Sequence, residues 1–284
     1  RSELLNKIKQ RRDVPMNIAL ENFQTIIFEN SVYSHSNKIL EKTLPSVQKD
    51  DILKYYNKIL DSKNVVISIN GNVDAQKMIS EFGSILKNKN NYSNFRISKA
   101  PAPKTVSQDI KDLQTAWLFL GWQTAGVQNK KDFVTLKVMN TILGSGMSSR
   151  LFRNLREQDG LAYQLGSSYS PKMLGGSFFT YIGTNPETLD YSRKKILHEI
   201  DRFKMEFVSD TELKDAKDRL KGSFVIAMET NSEKASNIGL FETYGFGYDF
   251  LNEYVKMIDQ VTASDIISVA NKYFNNIIIQ SEVK

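Results

Sequence analysis

GSGMSSRLFRNLREQDGLAY, residues 144–163, is the stretch from which the rest of the chain is read. It opens on glycines, passes into a short basic amphipathic run, stops at Gly160 and leads into a strand-prone segment. Ser148 and Ser149 are suited to cap a helix running through Leu151, Phe152 and Leu155. Gly160 suits the left-handed residue at which such a helix ends. Arg156 and Tyr163 flank that stop, one at the helix end and one at the strand start. A guanidinium and a phenol on one loop could both donate hydrogen bonds to a developing oxyanion. On spacing alone, a surface arginine beside a half-buried strand tyrosine is the simpler account.

Outward from this stretch, the pattern alternates between strand and helix periods. A strand is expected over residues 115–122 and a helix over 132–143, where Phe133, Leu136, Met139 and Ile142 recur at helical spacing. Two strands follow, 161–169 and 177–184, joined by a loop over 171–176. A long helix over 187–207 carries Leu189, Ile196, Ile200, Phe203 and Phe207 on one stripe. Ser209-x-x-Glu212 reads as a capping box opening another helix to about residue 229. Strands mixed with segregated helix pairs predict an α+β architecture of sheet and helices.

An internal repeat organises the chain. VQKDDILKYYNKILDSKNVVISI, residues 47–69, matches VTASDIISVANKYFNNIIIQS, residues 261–281, at Asp51/Asp265, Ile52/Ile266, Asn57/Asn271 and Lys58/Lys272. Each copy reads as a capped amphipathic helix followed by a β-branched strand. Two homologous domains are therefore expected: residues 1–98 as the carboxy-terminal part of the first, 99–114 as a polar linker with Pro101 and Pro103, and 115–284 as the second. Only 46 residues precede Val47. Equivalence of the two units implies roughly 110 further residues in the first, truncated here at its amino terminus.

Composition narrows the function. The 284 residues are 40% hydrophobic and 11% aromatic, enough for packed cores. The net charge of +6 is spread along the chain, and Lys7, Lys9, Arg11 and Arg12 read as a solvated helix face, so no nucleic-acid partner is expected. No cysteine is present, which removes thiol nucleophiles and thiolate metal sites. No run of about 18 apolar residues is long enough to span a membrane. The glycines of GSGMSSR lack the GxxxxGK spacing of a phosphate-binding loop. The aromatics Phe241, Tyr244, Phe246, Tyr248 and Phe250 read first as packing and second as chamber lining.

The whole chain resembles the insulinase/pitrilysin-type zinc peptidases, in the branch of mitochondrial processing peptidase and its bacterial relatives. The residues that carry the resemblance are ILGSGMSSRLF (142–152), LREQDGLAY (155–163), FFTYIGTNPE (178–187), TELKDAKDRLKG (211–222) and KIKQRRDVP (7–15). The resemblance implies paired homologous α+β domains that close around a peptide substrate. It implies a zinc-bearing half with an inverted HxxEH motif and a distal glutamate, and a second half contributing an arginine–tyrosine pair. Arg156 and Tyr163 match that pair and would hydrogen-bond the scissile carbonyl and the oxyanion while a zinc-bound water attacks. Gly160, Leu161 and Ala162, between them, would contact substrate.

Departures from the family pattern matter as much. No HxxEH occurs; His35 and His198 have no partner at ligand spacing and read as ordinary surface or structural histidines. Lys7 stands where the distal zinc glutamate is expected, and an ammonium there repels a dication. The expectation is a zinc-less half of a zinc metalloendopeptidase, inactive alone, with zinc in a partner half that is a separate subunit or part of the same polypeptide. The alternatives are a degenerate structural homologue and a peptide-binding half that adds a substrate strand to a sheet edge. The compartment is open between cytoplasm and bacterial cell envelope, with the periplasm favoured.

Overall fold

The computed structural model describes residues 1–34, 36–59, 65–85, 104–110, 113–275 and 278–284. Its centre is a five-stranded mixed sheet in the order β1-β5-β2-β4-β3. The strands are β1 (Lys104–Gln108), β2 (Ala116–Thr124), β3 (Gln164–Lys172), β4 (Gly175–Thr184) and β5 (Ile279–Val283). β1 runs parallel to β5, and every other pair is antiparallel. β3 is an edge strand that pairs with β4 alone among the described residues.

Strict alternation along β2 and β4 sends apolar side chains to both faces, as expected of a sheet covered on both sides. Leu118, Leu120, Trp122, Phe178 and Ile182 belong to the larger core. That core is completed by α6 (Lys130–Gly144), α7 (Leu189–Met205), α8 (Asp210–Ile226), α9 (Asn231–Thr243), α10 (Phe250–Gln260) and α11 (Ala263–Phe274). On the other face Phe119 and Phe179 meet Ala19, Phe23, Ile26 and Ile27 of α2 (Pro15–Ile27). The Phe23 and Phe179 ring centroids lie 5.2 Å apart. Phe23 is fully buried and would leave a large void if truncated to alanine, at a cost of about 3–5 kcal/mol.

Several expected elements appear with altered ends. The predicted loop over 171–176 is tighter than expected, because β3 and β4 stay paired down to Lys172 and Gly175. The capping box at Ser209 is half formed: Ser209 Oγ accepts from the Glu212 N–H at 3.2 Å, but the Glu212 carboxylate goes to Arg150 instead. Thr262 and Asp265, by contrast, form the full reciprocal box at the start of α11. The segment expected as a linker contains β1, so the second unit's sheet begins at Lys104 and not after residue 114.

Both segments paired in the sequence repeat contain a helix. α4 (Lys49–Ile59) is the counterpart of α11. Their settings differ: Ile266, Val269 and Ala270 of α11 are buried, whereas Ile52, Leu53, Tyr55 and Tyr56 of α4 are exposed. The strand expected over residues 65–69 is absent, since these residues have no ladder partner among the described residues and a strand exists only by pairing. α1 (Ser2–Arg12), α3 (Asn37–Thr43) and α5 (Ala75–Ile85) complete the amino-terminal portion. Within the aromatic group at 241–250, Phe241 and Phe250 are buried with centroids 5.0 Å apart, so packing is their role, while Tyr248 is exposed.

Candidate functional site

The loop that carries Arg156 and Tyr163 is held from below by several tethers. Leu151 and Leu155 are fully buried in the main core. Arg150, itself buried, makes a bidentate pair with Glu212 at the start of α8, with both contacts at 2.7 Å. Asn154 Nδ2 donates to Glu199 Oε1 at 2.8 Å, and Lys195 pairs with Asp159 at 3.0 Å. These contacts draw residues 150, 151, 154 and 155 inward and leave 153 and 156–160 on the outside.

The expected capped α-helix is instead a π-helical turn over Phe152–Gln158. Neither Ser148 nor Ser149 caps it; Ser149 Oγ donates to the Gly146 carbonyl at 2.6 Å and closes the preceding turn. The wider π spacing is visible at the exit, where the Asp159 N–H reaches Asn154 O, five residues back, at 3.2 Å; the Leu161 N–H then closes the turn on Leu155 O, six residues back, at 2.8 Å. π-turns are uncommon and concentrate at functional sites. Gly160 then takes φ +64°, the left-handed conformation expected of it, with open space where a Cβ would stand.

Three arginines lie on this segment at three-residue intervals, and their partners differ. Arg150 and Arg153 both turn to Glu212, at 2.7 and 3.8 Å. Arg156 has no carboxylate or carbonyl partner among the described residues; its guanidinium lies 5.1 Å from the centroid of the Phe152 ring, a cation–π contact. The Tyr163 backbone N–H donates to Gly183 O at 2.9 Å, which anchors the residue to the end of β4. Its phenol is 64% exposed and has no protein partner among the described residues. The structure thus places both residues on one outward-facing loop with their donors unused, and no hydrogen bond links them.

The three residues between them behave differently. Gly160 is exposed, whereas Leu161 and Ala162 pack their side chains against the main core. Thr184 Oγ1 donates to the Leu161 carbonyl at 2.5 Å. Any contact of Leu161 or Ala162 with a substrate would therefore run through the backbone. An open cleft of about 570 Å³ adjoins Tyr163, lined by Pro15, Leu113, Gln114, Thr115, Trp117, Tyr163 and Gln164. No formal charge lines it. Trp117 can lie flat there because its cross-strand partner Gly183 has no side chain: a Cβ on Gly183 would stand 2.9 Å from the indole.

Lys7 is exposed on α1 and pairs with Glu3 one turn earlier at 2.8 Å. The residue one turn before the expected ligand position is thus engaged by the ammonium itself. Among the described residues no group of three or more His, Cys, Asp or Glu side chains could hold a metal ion. His198 is exposed on α7, and His35 lies outside the described residues. The described residues therefore do not fit a zinc site. No helix among the described residues is long and apolar enough to cross a membrane.

Sequence reasoning did not anticipate the Arg150–Glu212 pair, the Asn154–Glu199 bond or the Phe152 ring beneath Arg156. The i, i+4 spacing of Phe152 and Arg156 was a usable signal for the last of these. The first two join residues 62 and 45 apart and had none.

A five-stranded mixed sheet with helices on both faces defines an α+β peptidase-family fold, and comparison with known proteins gives the family. The family model described as the peptidase M16 inactive domain matches residues 46–220. The chain belongs to the peptidase M16 family. It is 31% identical over 280 residues to an uncharacterized zinc protease of Rickettsia felis and 29% identical over 277 residues to one of Rickettsia bellii. Each alignment covers 96% of this chain and 66% of the relative, so the chain spans just under two thirds of the length of these proteins. Among solved structures, a protease from Helicobacter pylori superposes with a TM-score of 0.89 at 21% identity, covering 100% of this chain and 70% of that one. A peptidase M16 inactive domain from Pseudomonas fluorescens gives 0.83 at 16% identity, covering 99% and 69%. At these identities the two structures establish the fold alone.

Proposed function

We propose that this chain is the zinc-less half of an M16-family metalloendopeptidase, and that it supplies Arg156 and Tyr163 to the scissile carbonyl of a peptide held against a zinc-bearing half. The observation that carries this reading is the contrast among the three arginines. Arg150 and Arg153 turn to a carboxylate, while Arg156 and the neighbouring Tyr163 phenol face outward with no hydrogen-bond acceptor among the described residues. Two free donors on a loop whose backbone is fixed from below form a preorganised oxyanion site.

The zinc-bearing half would supply a metal-activated water. Arg156 would neutralise charge on the carbonyl oxygen as it develops, and Tyr163 O–H would donate a hydrogen bond to it. Lys7 and the absence of a ligand cluster among the described residues support a half that does not bind the metal itself. The zinc half is then a second subunit or another part of a longer polypeptide. A cell-envelope location remains the favoured compartment on cysteine usage alone.

Reconstitution tests the reading. This protein combined with its zinc-bearing half should cleave an unfolded peptide, and neither half should do so alone. Metal analysis should find zinc in the other half only. Peptide binding without cleavage in the combined sample would favour the peptide-binding alternative, and neither binding nor cleavage would favour a structural role.

A further inference from the structure

Away from the arginine–tyrosine loop, a cavity of about 250 Å³ lies between α6, α8, α9 and α10 and the end of β3. Its walls are aromatic and aliphatic: Phe133, Phe224, Phe241 and Leu220 line it. Polar side chains interrupt them at Lys137, Ser223, Asn237, Tyr244 and Tyr254, and two of these, Lys137 and Tyr254, border the Phe133 ring. Lys137 Nζ makes no hydrogen bond or ion pair among the described residues and lies 5.2 Å from the centroid of the Phe133 ring. Tyr254 is 3% exposed, and its hydroxyl likewise has no protein partner among the described residues. Its ring is packed by Phe224 at 4.9 Å and reaches Phe133 at 6.4 Å, so both polar groups border the same phenyl ring.

Lys137 is half-buried and Tyr254 is buried, and the polar heads of both border the pocket instead of a protein acceptor. A partly desolvated ammonium gains from an acceptor that a ligand brings. Most other lysines near this helix layer are paired: Lys130 with Glu253, Lys131 with Asp265, Lys221 with Asp259 and Lys272 with Asp132. Burial alone lowers the Lys137 pKa, with no carboxylate acting to restore it. Burial raises that of Tyr254, which keeps the phenol a donor. The cavity thus presents Lys137 Nζ and the Tyr254 hydroxyl as donors beside a largely apolar wall, with no carboxylate in its lining.

We propose that this cavity binds a small amphiphilic carboxylate, with its aromatic or alkyl body among Phe133, Phe224 and Phe241 and its carboxylate accepting from Lys137 Nζ and the Tyr254 hydroxyl. The volume equals that of about eight waters, which suits an arylalkyl acid and excludes a folded peptide. A carboxylate supplies the acceptor both donors lack, and a charge-assisted bond in an apolar pocket is among the stronger polar contacts. The site is independent of the reading given to Arg156 and Tyr163.

Calorimetric titration of the full-length protein tests this with 3-phenylpropionate, octanoate and the neutral isostere 3-phenylpropanamide. At least one acid should bind saturably at one per chain, and the amide at least tenfold more weakly than 3-phenylpropionate. Lys137→Met, an unbranched apolar replacement, should abolish the acid's advantage over the amide while leaving the melting temperature equal or higher. Tyr254→Phe should weaken the acid severalfold. Absence of saturable binding by both acids, equal affinity for acid and amide, or an acid affinity unchanged in folded Lys137→Met would overturn the proposal.

Discussion

At the scale of single residues, the site depends on charges that are paired so that others can remain free. Arg150 is buried with a 4% exposed side chain, and among the described residues its one salt bridge is to Glu212. Glu212→Ala would leave that guanidinium uncompensated and should cost about 3–5 kcal/mol, read from urea unfolding. A smaller loss than about 1 kcal/mol would mean that the pair does not hold the loop. A second network lies at the base of α11, where Lys272 and the Tyr273 hydroxyl both bond Asp132 Oδ2. Burial first, and then the hydrogen bond to Asp132, pushes the Tyr273 phenol from 10.0 up to about 12. The folded state therefore holds this proton more tightly than the unfolded chain. Its contribution to stability is complete below pH 10 and declines as pH rises from 10 towards 12. Tyr273→Phe should remove that part of the alkaline decline in unfolding free energy, and an unchanged slope would contradict the assignment.

At the scale of elements, β2, α6, β4, α7 and α11 were legible in the sequence, because β2 and β4 are near-continuous apolar runs and the helices repeat apolar residues at helical spacing. Gly160 was equally legible, since a left-handed stop leaves few alternatives. The π-turn was not. Its apolar residues Leu151, Phe152 and Leu155 fit an α-helix as well, and the choice is made by distant tethers at Glu212 and Glu199. β1 was hidden for a related reason: KTVSQ is polar and short, and becomes a strand by pairing with β5 about 175 residues later. The exit of the π-turn gives a prediction of its own. At Gly160 nothing crowds a Cβ, so the cost of substitution is the backbone's alone. Gly160→Asn should be nearly neutral in thermal unfolding, and Gly160→Val should cost about 1–2 kcal/mol and lower turnover by misplacing Arg156 relative to Tyr163. Equal stability and turnover in the two variants would show that the turn does not set the site.

For the whole molecule, the sheet carries the site and the helices hold the sheet. α2, from the amino-terminal portion, packs on β2 and β5, so the two parts of the chain share one buried face. The repeat exposes a contrast between α11, sunk into the core, and α4, whose apolar residues face outward. The division of the chain into two homologous units remains our proposal, with β1 now assigned to the second. Within it, Arg156 and Tyr163 are the residues through which a half with no fitting metal ligands would take part in peptide hydrolysis. The direct measurement is steady-state turnover of the complete zinc-containing enzyme carrying Tyr163→Phe. If the phenol donates to the oxyanion, kcat should fall about 10- to 1000-fold with little change in KM, and Arg156→Ala combined with it should cost less than the product of the two single losses. A kcat equal to that of the unmodified enzyme would contradict the account.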